Sequence, residues 1–300
     1  MLTCRTVVSL ALVLAGCSAP PPVVEPARKP VVFTTNYPLR YFAERLGGGF
    51  VDVRLPAPPG GDPAYWEPEV SVIQQYQRAD LILLNGAGYE RWAAKATLPA
   101  SRTVDTSASF KSRYIEAAEL TRHSHGPEGE HSHGGTAFTT WLDPALAVAH
   151  AEAIAGALRL LLPPEAPLDE NLAALRADLE SLDAAMRAVM GDNRGAPLIA
   201  SHPVYQYLAR AYGWNLRELH WEPDAMPAAA EWNKLDALVR GHRAAWMIWE
   251  APPAAGISAE LEKRGIGTAV FYPLGNAPEA GDYLTVMKEN IERLRPVFRQ

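Results

Sequence analysis

The sequence predicts an α/β protein of two lobes, each built on a parallel sheet, joined by one long helix with a cleft between the lobes. Two series of short apolar, β-branched runs, each separated by helix-like stretches, imply strands buried on both faces. A long amphipathic stripe between the two series implies a helix that connects them.

The first series comprises Val31 to Asn36, Val51 to Ala57, Ala79 to Gly86 and Thr103 to Ser107. The second comprises Pro197 to His202, Asn215 to Trp221, Ala244 to Glu250 and Gly267 to Leu274. In the connecting stretch Leu172, Leu175, Leu179, Leu182, Met186 and Val189 recur at steps of three and four, which places them on one helical face. Asp178, Glu180, Asp183 and Arg187 are left for solvent, and Gly191 and Gly195 mark the end. The division expected is an N-terminal lobe over 31–166, a linking helix over 167–192 and a C-terminal lobe over 193–300.

Before the first lobe, one basic residue, Arg5, precedes an apolar run from Thr6 to Leu14, too short to span a bilayer and arranged like a secretory signal. Leu14-Ala15-Gly16-Cys17 resembles the lipobox of bacterial lipoproteins, which implies cleavage after residue 16 and acylation of Cys17. Residues 17–30 are rich in proline and suit an extended tether. With Cys4 discarded and Cys17 lipidated, no thiol remains for a disulfide or a metal, so any metal must be held by nitrogen and oxygen.

A net charge of -6 argues against nucleic acid as a partner, and no second apolar stretch approaches the ~20 residues of a membrane span. The chain lacks an HExxH pattern and a nucleophile beside a recognisable base, so it is not expected to be an enzyme.

Metal chemistry is announced by residues 121–135, TRHSHGPEGEHSHGG, where His123, His125, His131 and His133 account for half of the eight histidines. Glycine and proline exclude a stable helix there, and the expectation is a mobile, solvated loop. Neutral imidazole binds zinc, copper and nickel alike. Open α/β sheets bind ligands beyond the carboxyl ends of their strands, which singles out His202, Glu222, Glu250 and Tyr272.

Six ordered segments carry a family resemblance: Asn36-Tyr37-Pro38-Leu39, Gly61 to Pro68, Ala79 to Gly88, Trp141-Leu142-Asp143-Pro144, Ser201 to Tyr207, and Pro273-Leu274-Gly275. Together they resemble the substrate-binding proteins of zinc and manganese ABC importers. The resemblance implies two α/β lobes joined by a long rigid helix, a metal in the cleft, no catalysis, and delivery of the ion to a membrane permease.

The ligand positions depart from that pattern. Ala64 and Thr139 stand where the family has histidines, and Tyr272 where it has an aspartate; His202 remains. Trp221-Glu222 looks like the Trp-Glu that supplies a carboxylate in manganese-binding relatives. Because even open zinc sites keep three protein donors, the expected site is His202 and Glu222 completed by one or two of His123, His125, His131 and His133. Tyr272 and Glu250 are candidate further donors; Glu250 resembles a family position near the cleft where it could orient His202, and His220 is expected to be structural or exposed.

Zinc is the expected cargo, with manganese, copper and nickel as alternatives, carried by a monomer held at the membrane through its lipid. The competing reading is a binder of an organic solute or metal chelate, prompted by Tyr65, Trp66, Trp141, Tyr205 and Trp221 near the cleft.

Overall fold

The computed structural model describes residues 28–124 and 130–299, with 117–124 and 130–134 described through their backbone pairing alone. The expected signal segment, Cys17, all but the last three residues of the tether, and His125 lie outside the described residues.

All eight expected strands form, each shorter than its apolar run. In the N-terminal half they are β1 (Val31–Thr34), β2 (Asp52–Arg54), β3 (Leu81–Leu84) and β4 (Thr103–Asp105), with helices α1 (Tyr37–Gly47) and α2 (Val70–Arg78) interleaved. Every pair is parallel and the order is β2-β1-β3-β4. Ile82 and Leu83 of β3 are completely buried, as a continuous apolar run with both faces covered requires.

The 121–135 segment is a correction. Its flanks pair as antiparallel strands β5 (Glu116–Ser124) and β6 (Glu130–Thr136), with His123 opposite His131 and Thr121 opposite His133. In the sequence the breakers Gly126 and Pro127 fall between the two paired runs, so they interrupt neither. The hairpin root is held by packing: the Ile115 amide donates to the Tyr207 hydroxyl, and the Ala137 amide to the Ile115 carbonyl.

Helix α3 (Pro144–Leu158) starts at Asp143, whose carboxylate caps the Ala145 amide while Pro144 presets the first turn. Then comes α4 (Leu168–Met190), 23 residues long. Its buried stripe is Leu168, Leu175, Leu179, Leu182, Met186, Val189 and Met190. It packs on α1 and α3 of the first half and on α8 (Tyr283–Arg293) of the second, so one helix stiffens both lobes. Each buried leucine on that stripe contributes roughly 2 kcal/mol.

The second lobe repeats the plan of the first. Strands β7 (Pro197–Ala200), β8 (Asn215–Glu218), β9 (Trp246–Trp249) and β10 (Gly267–Val270) are parallel in the order β10-β9-β7-β8. Helices α5 (Gln206–Tyr212), α6 (Ala229–His242) and α7 (Ala255–Lys263) connect them, and α9 (Arg295–Phe298) follows α8. In both sheets the first strand lies between the second and the third, so the chain reverses its winding there. That reversal opens a crevice at the carboxyl ends of β1 and β3 in one lobe and of β7 and β9 in the other.

Direct hydrogen bonds join the lobes around the cleft. Asn276 donates from Nδ2 to the carbonyls of Pro58 and Gly61 at 2.7 and 2.8 Å, and Trp141 Nε1 to Pro273 O at 2.7 Å. The Tyr37 amide donates to Gly275 O at 2.9 Å. Leu274 takes a left-handed φ of 61°, the bend that brings Gly275 and Asn276 across to the first lobe. Among the described residues no helix is long and apolar enough to cross a membrane.

Candidate metal centre

Three strands of the second sheet each deliver one donor. β7 ends at Ala200, the Ser201 amide continues the ladder to Ile248 O, and the chain turns at His202, whose carbonyl accepts the Val204 amide. Beyond β8 the ladder also runs on: the Leu219 amide donates to Ala200 O and the Trp221 amide to Ser201 O, which carries Glu222 alongside His202. Glu250 directly follows β9, whose Trp249 is completely buried.

Ligand atoms of His202, Glu222 and Glu250 all lie within 4.8 Å of one another. His202 Nδ1 stands 3.7 Å from Glu222 Oε1, beyond ordinary hydrogen-bond reach. Donors on a tetrahedral ion at zinc distances are about 3.4 Å apart, so the widest pair has to contract by up to about 1.4 Å. His202 is buried, and the two carboxylates are half-buried at the edge of a cleft of about 870 Å³.

The surroundings hold these donors in place. Trp221 packs edge-on against Trp232 and lies near Trp249, fixing the strand ends from behind. The His220 ring meets that of His202 at a centroid distance of 6.0 Å, nearly perpendicular, so it abuts the imidazole rather than standing exposed. On the opposite wall the Tyr65 phenol is pushed well above its ordinary value, first by burial, then by Asp62, with smaller contributions from Glu250 and Glu222.

His202 and Glu222 thus meet as the strand-end rule suggests. Glu250, read from sequence as a candidate further donor or an orienting group, has a ligand atom within 4.8 Å of those of both. The signal for it was available: it directly follows the third strand of the lobe, as the other two follow the first and second. With Glu250 present, three donors stand together without a hairpin imidazole. His123, His131 and His133 occupy register positions on β5 and β6.

The three positions where the resemblance implies ligands make other contacts. Ala64 is buried, and its amide donates to Asp62 Oδ1 at 2.9 Å. Thr139 donates its hydroxyl to Val204 O at 2.6 Å, across the lobes. Tyr272 lines the cleft with its ring under Arg293, and its amide donates to Asn290 Oδ1. His150, deep in the first lobe, lies between the hydroxyls of Thr106 and Thr140, and burial lowers its pKa to about 3, which keeps it neutral.

Similarity to known proteins follows the same outline. The family model described as zinc-uptake complex component A, periplasmic, matches residues 32–296. The chain is 27% identical over 281 residues to the zinc-binding lipoprotein AdcA of Streptococcus pneumoniae, covering 90% of this chain and 56% of that protein. It therefore spans little more than half the length of such streptococcal relatives. Over 274 residues it is 28% identical to the high-affinity zinc uptake system protein ZnuA of Bacillus subtilis, covering 88% of this chain and 86% of that one. Among solved structures, the metal-dependent lipoprotein YcdH of Bacillus subtilis superposes with a TM-score of 0.76 at 24% identity, covering 89% and 99% of the two chains. The Zn(II)-bound ZnuA-like domain of Streptococcus pneumoniae AdcA superposes with a TM-score of 0.74 at 23% identity, covering 91% of this chain and all of that one. A match that runs through both lobes and the linking helix means that the chain belongs to the family of periplasmic component A proteins of zinc-uptake complexes.

Proposed function

We propose that this protein captures a divalent transition metal, zinc foremost, on His202, Glu222 and Glu250 and delivers it to the permease of an ABC importer. The observation that carries the reading is the convergence of one imidazole and two carboxylates at the chain-reversal crevice of the second sheet. An imidazole with two carboxylates suits zinc and also accepts manganese, nickel or copper, so availability of the ion shares in the selection. The work is binding and release, in keeping with a family of transporter components rather than enzymes.

The hairpin serves as a gatherer. His123 and His131 are cross-strand register partners, and His133 pairs in register with Thr121. His123, His125, His131 and His133 offer ions a weak first stop. Export with an acylated Cys17 keeps the monomer beside its permease, so captured ions are not lost by diffusion.

The test is isothermal titration of zinc into the wild type and His202→Ala. Loss of the only buried donor lowers the affinity of the tight site by more than about 100-fold, given that even outer-shell partners of metal ligands are worth 10–100-fold. Unchanged tight binding in the variant would overturn the proposal.

A further inference from the structure

We infer that Thr139 is a positioning residue for the metal site: from the first lobe its hydroxyl fixes the turn that carries His202, so retention of the ion depends on how the two lobes are seated. The inference rests on the metal reading above and adds a first-lobe residue that acts on the site through His202.

The turn after β7 is short, and three consecutive carbonyls in it are engaged. His202 O accepts the Val204 amide at 2.9 Å, which closes a three-residue turn centred on Pro203. The proline ring presets the backbone at that centre. Pro203 O accepts Gln206 Nε2 at 2.9 Å, from the start of α5. Val204 O accepts the Thr139 hydroxyl at 2.6 Å. The first two bonds arise within the second lobe, whereas the third crosses from the first. Thr139 is 4% exposed, so bulk water does not compete for its hydroxyl.

Thr139 is itself firmly held. On one side of it Phe138 O accepts Asn85 Nδ2 at 3.0 Å, just beyond β3. On the other side the Thr140 hydroxyl meets His150 Nε2 at 2.8 Å, and His150 Nδ1 meets the Thr106 hydroxyl at 2.7 Å. Thr106 donates its hydroxyl to Leu84 O at 2.8 Å, so the neutral ring donates from Nδ1 and accepts Thr140 at Nε2. The buried imidazole thereby ties the 139–141 turn to the end of β3. One residue further on, Trp141 donates its indole N–H to Pro273 O. Thr139 and Trp141 thus grip the second lobe at two strand-end loops, one carrying His202 and the other Tyr272.

That grip bears directly on the metal. Ligand distances tolerate only about 0.2 Å of error, so a donor residue has to be fixed on both sides along the chain. On the N-terminal side of His202, the Ser201 amide holds the strand ladder by donating to Ile248 O. On its C-terminal side, the turn is held to the first lobe by Thr139, two residues beyond at Val204. At a position where the resemblance implies a histidine ligand, a hydroxyl therefore keeps the first lobe coupled to the site.

Competitive zinc titration of the intact protein against a fluorescent chelator decides this, comparing the wild type with Thr139→Val, Thr139→Ser, His202→Ala and the His202→Ala/Thr139→Val double variant. Valine keeps the shape of threonine without the hydroxyl, and Thr139→Val should lower zinc affinity about 10-fold, the low end for partners of metal ligands. Serine keeps the donor and should return the affinity to within about threefold of the wild type. In the His202→Ala background the valine substitution should change the residual affinity by less than about twofold, since the residue it acts through is gone. If the valine variant does not fold, Thr139→Ala removes the same hydroxyl and is read in the same way. The inference is overturned if the variant without the hydroxyl binds zinc as tightly as the wild type, or if serine restores nothing. It is equally overturned if the loss is the same with and without His202, which would make the bond a general contact between lobes. Those outcomes leave the metal reading standing wherever His202→Ala has lost the tight site. A His202→Ala protein that keeps the tight site refutes that reading and the inference with it.

Discussion

Replacing Glu250 with glutamine separates a metal site from an incidental cluster, because it moves two measurable quantities in opposite directions. Glu222 and Glu250 place carboxylate oxygens within 4.8 Å of each other. At an effective dielectric of about 20, unit charges at that spacing repel by roughly 3 kcal/mol. With the Glu222 side chain 24% exposed, screening leaves about 1–2 kcal/mol. The neutral isostere removes that repulsion, so the metal-free variant melts roughly 3–6 °C higher than the wild type, on a scale of 2–4 °C per kcal/mol for a domain of this size. Zinc at about 100 times its Kd stabilises the wild type by about 2.7 kcal/mol, and this increment is lost in Glu250→Gln as affinity falls more than about 100-fold. Differential scanning fluorimetry with and without zinc reads both effects. A variant that melts lower without metal and keeps the full zinc increment would refute the reasoning.

Other regions give independent tests. Joining Glu116 to Thr136, which are register partners, through a two-residue Asn-Gly turn removes the histidine hairpin; titration should show the tight site retained and the weaker equivalents gone, whereas loss of the tight site would make a hairpin imidazole a direct ligand. Burial raises the Glu218 pKa to about 7, against a hydrogen bond from Gln206 that lowers it. Its protonated form is favoured by folding, so that stability is full below about pH 4.5 and is lost as pH rises through about 7, by at most about 3 kcal/mol. Glu218→Gln should flatten the urea midpoint between pH 5 and 8, and an unaltered slope would contradict the assignment. Leu179, 1% exposed on the linking helix, should cost about 2–5 kcal/mol on Leu179→Ala with zinc affinity of the folded protein unchanged; a loss under 1 kcal/mol would deny that helix its structural role.

The fold was largely legible because its signals are local. Runs such as Leu81–Leu84 are apolar throughout, bounded by turn residues, and too short for helices, while Leu175, Leu179, Leu182 and Met186 mark one face of a helix whatever surrounds it. The hairpin was not legible as strands. His, Ser and Thr around a Gly-Pro pair carry the composition of a loop, and only cross-strand pairing, such as His123 with His131, makes them a sheet.

At the site, His202 and Glu222 could be read from their places after β7 and β8. Glu250 could be placed after β9 in the same way, but its meeting with the other two depends on strand order: β7 lies between β8 and β9, so Glu222 and Glu250 meet on either side of one imidazole. Ala64, Thr139 and Tyr272, where the resemblance implies ligands, each contribute backbone or hydroxyl bonds near the cleft.

The most direct test is a crystal structure of the zinc-loaded protein with anomalous scattering recorded across the zinc edge. The account predicts a peak bonded to the His202 imidazole and to carboxylate oxygens of Glu222 and Glu250, at about 2.0–2.2 Å from each. A peak confined to the histidine hairpin, with no metal bound to those three side chains, would contradict it.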